Sequence, residues 1–261
     1  MAGAVVGRFG HERYLAAVQA ESERFAEAVA QGDPEARVPS CPDWSLAELC
    51  RHQGLVHRWA TQVVRTRAQR RLGFDGLPDQ VPPADPAGQA EWLLRGAADL
   101  VGLLRESGTD TRVWGWADEQ HTGWWGRRMA HETLVHRIDA ELTLDQIGPV
   151  EAELAADGID ELLHNALAPA ALAYPNRGKL RGEGGTLHLH CTDVHGEWLL
   201  RRTPDGFAYE QGHHKADAAV RGPAAELMLL LTKRLPDGRN DLQVFGDHSL
   251  VAFWLDGLTL D

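Results

Sequence analysis

The most informative stretch of this 261-residue chain is residues 129–139, Met129-Ala130-His131-Glu132-Thr133-Leu134-Val135-His136-Arg137-Ile138-Asp139. Its two histidines are five residues apart, which places His131 and His136 roughly 140° apart around a helix and excludes the HExxH motif of zinc proteases. Glu132 and His136 are four residues apart and roughly 40° offset, so a carboxylate and an imidazole can converge on one cation. This stretch therefore predicts a helix that offers two metal ligands.

The third ligand is expected on an earlier helix. Ser45 followed by Glu48 predicts a capping box, so this helix begins at Ser45. Its apolar stripe is formed by Leu49, Val56, Ala60 and Val63, which places His52 on the buried side. Facing helices of a bundle can share a metal ion, and two histidines with one glutamate suit a catalytic zinc with an open position. The alternative is a core histidine beside an ordinary ion pair of Glu132 and His136.

Helical periodicity extends over most of the N-terminal part of the chain. We expect five helices in this part of the chain, at about 8–30, from 45 onward, at 90–104, at 123–142 and at 150–163. Residues 73–86 hold four prolines and two glycines and are expected to be irregular. Residues 1–170 are therefore predicted to form a helical bundle.

The pattern changes after residue 176. Residues 186–190 and 197–200 are expected to form two strands, joined by a turn at 193–196. Further strands are expected at 207–209, 216–220 and 242–245, and a helix is expected at 223–233. Residues 176–261 are therefore predicted to form a smaller α+β domain, which makes the whole chain α+β.

The charge and the hydropathy of the chain argue against some classes of partner. A net charge of −12 argues against nucleic acid, and the four arginines between Arg65 and Arg71 are expected to form a solvated helix end. No stretch approaches the ~18 apolar residues of a membrane span. Three widely spaced cysteines and a charged N-terminal region without a signal-peptide pattern favour the cytoplasm, and a monomer is expected by default.

Several segments together resemble a known family. Residues 38–52, VPSCPDWSLAELCRH, and 124–140, WWGRRMAHETLVHRIDA, resemble the mycothiol-dependent maleylpyruvate isomerase family of the DinB-like superfamily. Shorter runs resemble its second domain, namely LHLHCTD at 187–193, GEW at 196–198, AD at 216–217, VRGPA at 220–224 and FGD at 245–247. The resemblance covers nearly the whole chain.

The resemblance implies a fold, a metal and a thiol. The fold would be an N-terminal DinB-like four-helix bundle with a smaller C-terminal α/β sandwich-like domain. A divalent metal, typically zinc, would be bound by His52, Glu132 and His136 and would lower the pKa of the mycothiol sulfur. The thiolate would add to maleylpyruvate or a related unsaturated acid, allow rotation about the former double bond, and leave again.

A dianionic substrate would need a cationic partner. Arg128 precedes Glu132 by one turn, Arg137 follows His136, and Arg221 lies in the second domain, so these three are the candidates. Each could equally be a surface charge or an ion-pair partner. Asp139, three residues after His136, is expected to orient that ligand.

The tryptophans near the ligands are expected to pack in the core. Trp44, Trp124 and Trp125 flank the two ligand segments and could instead form the wall of a pocket. Two rival functions also stay open at this point. One is a mycothiol S-transferase, which would keep the new carbon–sulfur bond, and the other is a non-catalytic module that binds a metal or a ligand.

Overall fold

The computed structural model describes residues 7–117, 119–168, 175–236, 238 and 240–258. The chain divides into two compact units, residues 1–148 and residues 149–261. Among the described residues, no helix combines the length and apolar character that crossing a membrane requires.

The first unit is a bundle of four helices, as predicted. Helix α1 packs against α3 and α4, and α2 packs against α3. The helices are α1 His11–Gln31, α2 Leu46–Arg65, α3 Pro86–Ser107 and α4 Thr122–Leu142. Their bounds lie within a few residues of the predicted ones, and the core between them is mostly apolar, with some buried polar and charged side chains.

Two local features fix the start and the packing of α2. Ser45 caps the helix with the predicted capping box, because its hydroxyl accepts from the Glu48 backbone at 3.3 Å and the Glu48 carboxylate accepts from the Ser45 backbone at 2.8 Å. Further along, Gly54 lets α2 approach α3 closely, since a Cβ there would lie 1.9 Å from the Trp92 ring. A larger residue at position 54 would push these two helices apart.

The segment before α2 is more ordered than the sequence indicates. The sequence shows only a proline-bearing connector here, but the segment forms a short antiparallel pair of strands, β1 Arg37–Val38 and β2 Cys41–Ser45. Strand β1 has only two residues and β2 contains Pro42, so neither gives a clear period-2 signal and the pattern does not reveal them. The pair places Trp44 just ahead of the first turn of α2.

The second unit is built on a mixed five-stranded sheet. Its strand order is β5-β4-β3-β6-β7, with β3 and β6 parallel and the other neighbours antiparallel. The elements are α5 Ala152–Ala166, a 3-10 helix Pro175–Leu180, β3 Leu187–Cys191, β4 Glu197–Thr203, β5 Gly206–Gln211, β6 Ala218–Gly222, α6 Ala224–Leu231, β7 Gln243–Gly246 and α7 His248–Leu258. All the predicted strands are present, and the α+β class is confirmed.

Helices α5 and α7 mark two differences from the expectation. Helix α5 packs against α6, and Asp160 on α5 accepts a hydrogen bond from Trp198 on β4 at 2.5 Å. The compact units therefore separate before α5, whereas the predicted domain boundary follows it. Helix α7 was not predicted, because Leu250 to Leu255 is an almost continuous apolar run without helical periodicity. Its Trp254 is fully buried and packs on Phe207 of β5.

Candidate metal centre

Helices α2 and α4 bring the three predicted ligands together in the first unit. The Oε1 atom of Glu132 lies 3.3 Å from Nε2 of His136 and 3.7 Å from Nε2 of His52. The two imidazole rings are 5.0 Å apart, edge to face. Each of the three residues offers one ligand atom, and these atoms all lie within 4.8 Å of one another. Two imidazole nitrogens and one carboxylate oxygen at this spacing fit a divalent cation such as zinc.

The other histidine of the α4 motif faces elsewhere. His131 is buried and packs edge-on against Tyr14 of α1, with ring centroids 6.2 Å apart. This is the side of α4 that the 140° offset predicted. The choice of His136 rather than His131 as partner of Glu132 is therefore consistent with the structure.

Asp139 holds His136 in one orientation. Its Oδ2 lies 2.9 Å from Nδ1 of His136, and the carboxylate is fully buried. Ser40, which lies between β1 and β2, donates to the other Asp139 oxygen. A proton held on Nδ1 leaves the lone pair on Nε2, the atom that faces Glu132. The contact expected between Asp139 and His136 is present, whereas the contribution of Ser40 was not foreseen.

Arg128 acts on the second oxygen of the Glu132 carboxylate. It lies one turn before Glu132 and donates to Oε2, while Oε1 faces the histidines. Burial by itself would raise the pKa of Glu132. The Arg128 charge and the hydrogen bonds from the two histidines outweigh burial and hold that pKa well below its usual value. The carboxylate is therefore ionised at neutral pH and has one oxygen available to a cation.

The two carboxylates near His136 favour its protonated form. Burial lowers the pKa of His136, but the hydrogen bonds and charges of Asp139 and Glu132 raise it to about 9. In the metal-free chain this imidazole therefore carries two protons at neutral pH. A metal ion must displace the proton on Nε2 in order to bind there.

A buried polar network lies directly behind the ligands. Gln53 and His57 on α2 meet Thr133 on α4, with Thr133 Oγ1 at 3.0 Å from both Gln53 Nε2 and His57 Nε2. Burial and the nearby Arg58 charge lower the pKa of His57 to about 3, so it is neutral. This network was not predicted from the sequence. The signal available was the spacing of four between Gln53 and His57, which places both on one side of α2 next to the predicted apolar stripe.

An open pocket of about 390 Å³ adjoins the cluster. Trp44 is one wall, because its ring lies 4.7 Å from the His52 ring and 6.5 Å from the His136 ring. The lining residues are Trp44, Glu48, Arg51, His52, Leu55 and Phe74. The core packing predicted for Trp124 and Trp125 is confirmed by their burial, and the half-buried Trp44 packs against the core cluster of the bundle while it also lines the pocket.

The other two candidate arginines, Arg137 and Arg221, lie on α4 and on β6. Arg137 is fully buried and donates to Glu21 at 2.7 Å and to Glu141 at 2.6 Å, so it is part of an internal ion-pair network of the bundle. Its direction on α4 could not be inferred without knowing that α1 supplies Glu21. Arg221 lies on β6 in the second unit, exposed and paired in register with His190.

Two family models match this chain. The model of the mycothiol maleylpyruvate isomerase (MDMPI) N-terminal domain matches residues 15–141. The model of the MDMPI C-terminal domain matches residues 153–253. The chain belongs to the mycothiol-dependent maleylpyruvate isomerase family. The N-terminal match includes His52, Glu132 and His136, and the C-terminal match spans all five strands of the sheet.

Solved structures of the same family share the fold. A crystal structure of mycothiol-dependent maleylpyruvate isomerase has a TM-score of 0.54 at 13% identity, and a crystal structure of a mutant of that enzyme has a TM-score of 0.55 at 12% identity. In both cases 90% of this chain and 93% of the other chain are covered. No curated protein matches the chain significantly.

Proposed function

We propose that this member of the mycothiol-dependent maleylpyruvate isomerase family is a metal-dependent enzyme that uses mycothiol for the cis-trans isomerisation of maleylpyruvate or a related unsaturated acid. The observation that carries the proposal is the convergence of His52, Glu132 and His136 beside an open pocket. The crystal structures that share the fold are of mycothiol-dependent maleylpyruvate isomerase, which supports the choice of thiol and reaction.

The three ligands would bind zinc or another divalent ion through Nε2 of His52, Oε1 of Glu132 and Nε2 of His136. Such an ion, when bound, lowers the pKa of a thiol so that the thiolate exists at neutral pH. Asp139 retains the Nδ1 proton of His136, and Arg128 keeps Glu132 ionised. Both side chains thus prepare ligands rather than contact the substrate.

The pocket suggests which groups meet the substrate. Arg51 lines it and is exposed, so its guanidinium is available to a substrate carboxylate. Arg128 was predicted for this role, but in the proposed enzyme its charge is already shared with Glu132. Arg221 stays a candidate, whereas the buried pairs of Arg137 leave it a structural role. The half-buried Trp44 would shield one side of the reacting thiol from water.

The decisive experiment combines zinc, mycothiol and maleylpyruvate with the purified protein. Formation of fumarylpyruvate is followed by chromatography, together with the zinc content of the protein. We expect turnover with wild-type protein and loss of both zinc uptake at this site and turnover in His52→Ala and Glu132→Ala. The matched control is His131→Gln, which changes a histidine on the other side of α4 and should keep both properties.

Each rival function has its own signature in the same experiment. A lasting mycothiol adduct without fumarylpyruvate would replace the isomerase by an S-transferase. Thiol-dependent activity that survives in His52→Ala and Glu132→Ala would remove the metal centre from the mechanism.

The monomeric state and the cytoplasmic location stay predictions.

A further inference from the structure

The second unit contains a separate cluster of three histidines around one glutamate. His188 and His190 alternate along β3 with Leu187, Leu189 and Cys191, whose side chains are buried. The two histidines therefore share the opposite face of the sheet. Glu197 is the register partner of His190 on β4, so its carboxylate reaches the same face. The alternation of the sequence Leu-His-Leu-His-Cys thus presents two imidazoles beside a carboxylate.

The third histidine arrives from the segment after β5. Gly212 has a φ of 128°, a value that favours glycine, and it turns the chain back toward the sheet. Its backbone nitrogen donates to the Glu197 carbonyl at 3.1 Å, which holds this turn against β4. His213 follows immediately, and its Nδ1 lies 2.7 Å from Oε2 of Glu197.

Imidazole nitrogens of the three histidines lie close to both oxygens of the Glu197 carboxylate. Nε2 of His188 lies 3.3 Å from Oε2, and Nδ1 of His190 lies 3.3 Å from Oε1. The three rings are 5.4 to 6.2 Å apart. Ligand atoms of His188, Glu197 and His213 all lie within 4.8 Å of one another, the same limit that the cluster of the first unit meets.

This spacing agrees with the size of a bound zinc ion. Ligand atoms at about 2.0 to 2.2 Å from a tetrahedral zinc are about 3.3 Å from each other. The separations of His188 and His190 from the Glu197 oxygens have this value. Imidazole nitrogen and carboxylate oxygen are also ligand types that zinc accepts together.

We propose that His188, Glu197 and His213 form a second binding site for a divalent cation of the zinc class, with His190 beside it at the other oxygen of Glu197. The site lies within the second unit and uses none of the ligands of the first cluster, so it does not depend on the proposed catalytic function. Because its ligands come from β3, β4 and the segment after β5, the ion ties these three parts together. The exposed side of the site, at His213, is the route by which the ion enters.

The test is a calorimetric titration of metal-free full-length protein with zinc chloride. The starting protein carries His52→Ala and His136→Ala, which remove two ligands of the first cluster. We expect this protein to bind one equivalent of zinc per chain. Adding His213→Ala or Glu197→Gln should weaken that binding at least about tenfold, since each change removes a direct ligand.

The matched control is His214→Ala in the same background. His214 is the next residue and lies 3.6 Å from Glu210 rather than at the cluster, so zinc binding should be unchanged. Circular dichroism verifies that each variant is folded, and the His213 side chain is 80% exposed, so its removal leaves the core intact. The proposal is overturned if the starting protein binds no zinc, or if either His213→Ala or Glu197→Gln weakens binding less than tenfold.

Discussion

Replacement of Arg137 by methionine should destabilise the first unit by about 3 kcal/mol. The change removes a fully buried guanidinium and leaves Glu21 and Glu141 in the interior of the bundle. Removing one partner of a buried ion pair costs roughly 3–5 kcal/mol, because the other charge is left without compensation. The lower end applies here, since Glu141 keeps Arg24 at 3.0 Å and the Gly148 backbone nitrogen at 2.8 Å.

Thermal and urea unfolding measure this effect. A loss of about 3 kcal/mol corresponds to a Tm lower by roughly 6–12 °C for a unit of this size. The control is Arg105→Met, because Arg105 pairs with Glu12 at 3.1 Å on the surface, where such a pair contributes about 0–1 kcal/mol. If Arg137→Met unfolds like the wild type and yet loses turnover, Arg137 acts on the substrate and the structural reasoning fails.

The remaining predictions concern the first metal cluster and are measured in a His213→Ala background, which weakens zinc binding at the second cluster. Asp139→Asn should weaken zinc binding about 10- to 100-fold, because a neutral amide replaces the charged carboxylate that fixes the Nδ1 proton of His136; a titration showing less than about threefold would contradict this. Since the pKa of metal-free His136 is raised to about 9, zinc binding at pH 7 should release about one proton. The apparent affinity should then rise up to about tenfold per pH unit toward pH 9, and calorimetry in two buffers of different ionisation enthalpy that detects no proton release would refute it.

Local patterns were sufficient for most of the helices and strands. The six predicted helices and five predicted strands are present because each has either a helical stripe, a period-2 alternation or a cap that acts within a few residues. Helix α7 and the pair β1–β2 lack such a signal. Their conformation depends on tertiary contacts, such as Trp254 of α7 with Phe207, which only the folded sheet provides.

The same difference between local and long-range contacts decides which parts of the candidate site could be predicted. Glu132, His136 and Asp139 follow one another at steps of four and three, so their mutual contacts on α4 are local and were anticipated, whereas Arg128, one turn before Glu132, was predicted to meet the substrate. The direction of Arg137 depends on Glu21, which is 116 residues away in the sequence. The wall formed by Trp44 depends on the strand pair before α2. Long-range partners of this kind leave no trace in a local pattern.

The position of His52 depends on how α2 is held against α4. The residue after His52 is Gln53, the residue after Glu132 is Thr133, and these two are joined by a buried hydrogen bond of 3.0 Å. A shift of α2 by even one residue would break this bond and would separate both Gln53 and His57 from Thr133. The buried network therefore sets the register between the helix that carries one ligand and the helix that carries the other two. The cluster is positioned by polar contacts behind it as much as by the apolar packing of the bundle.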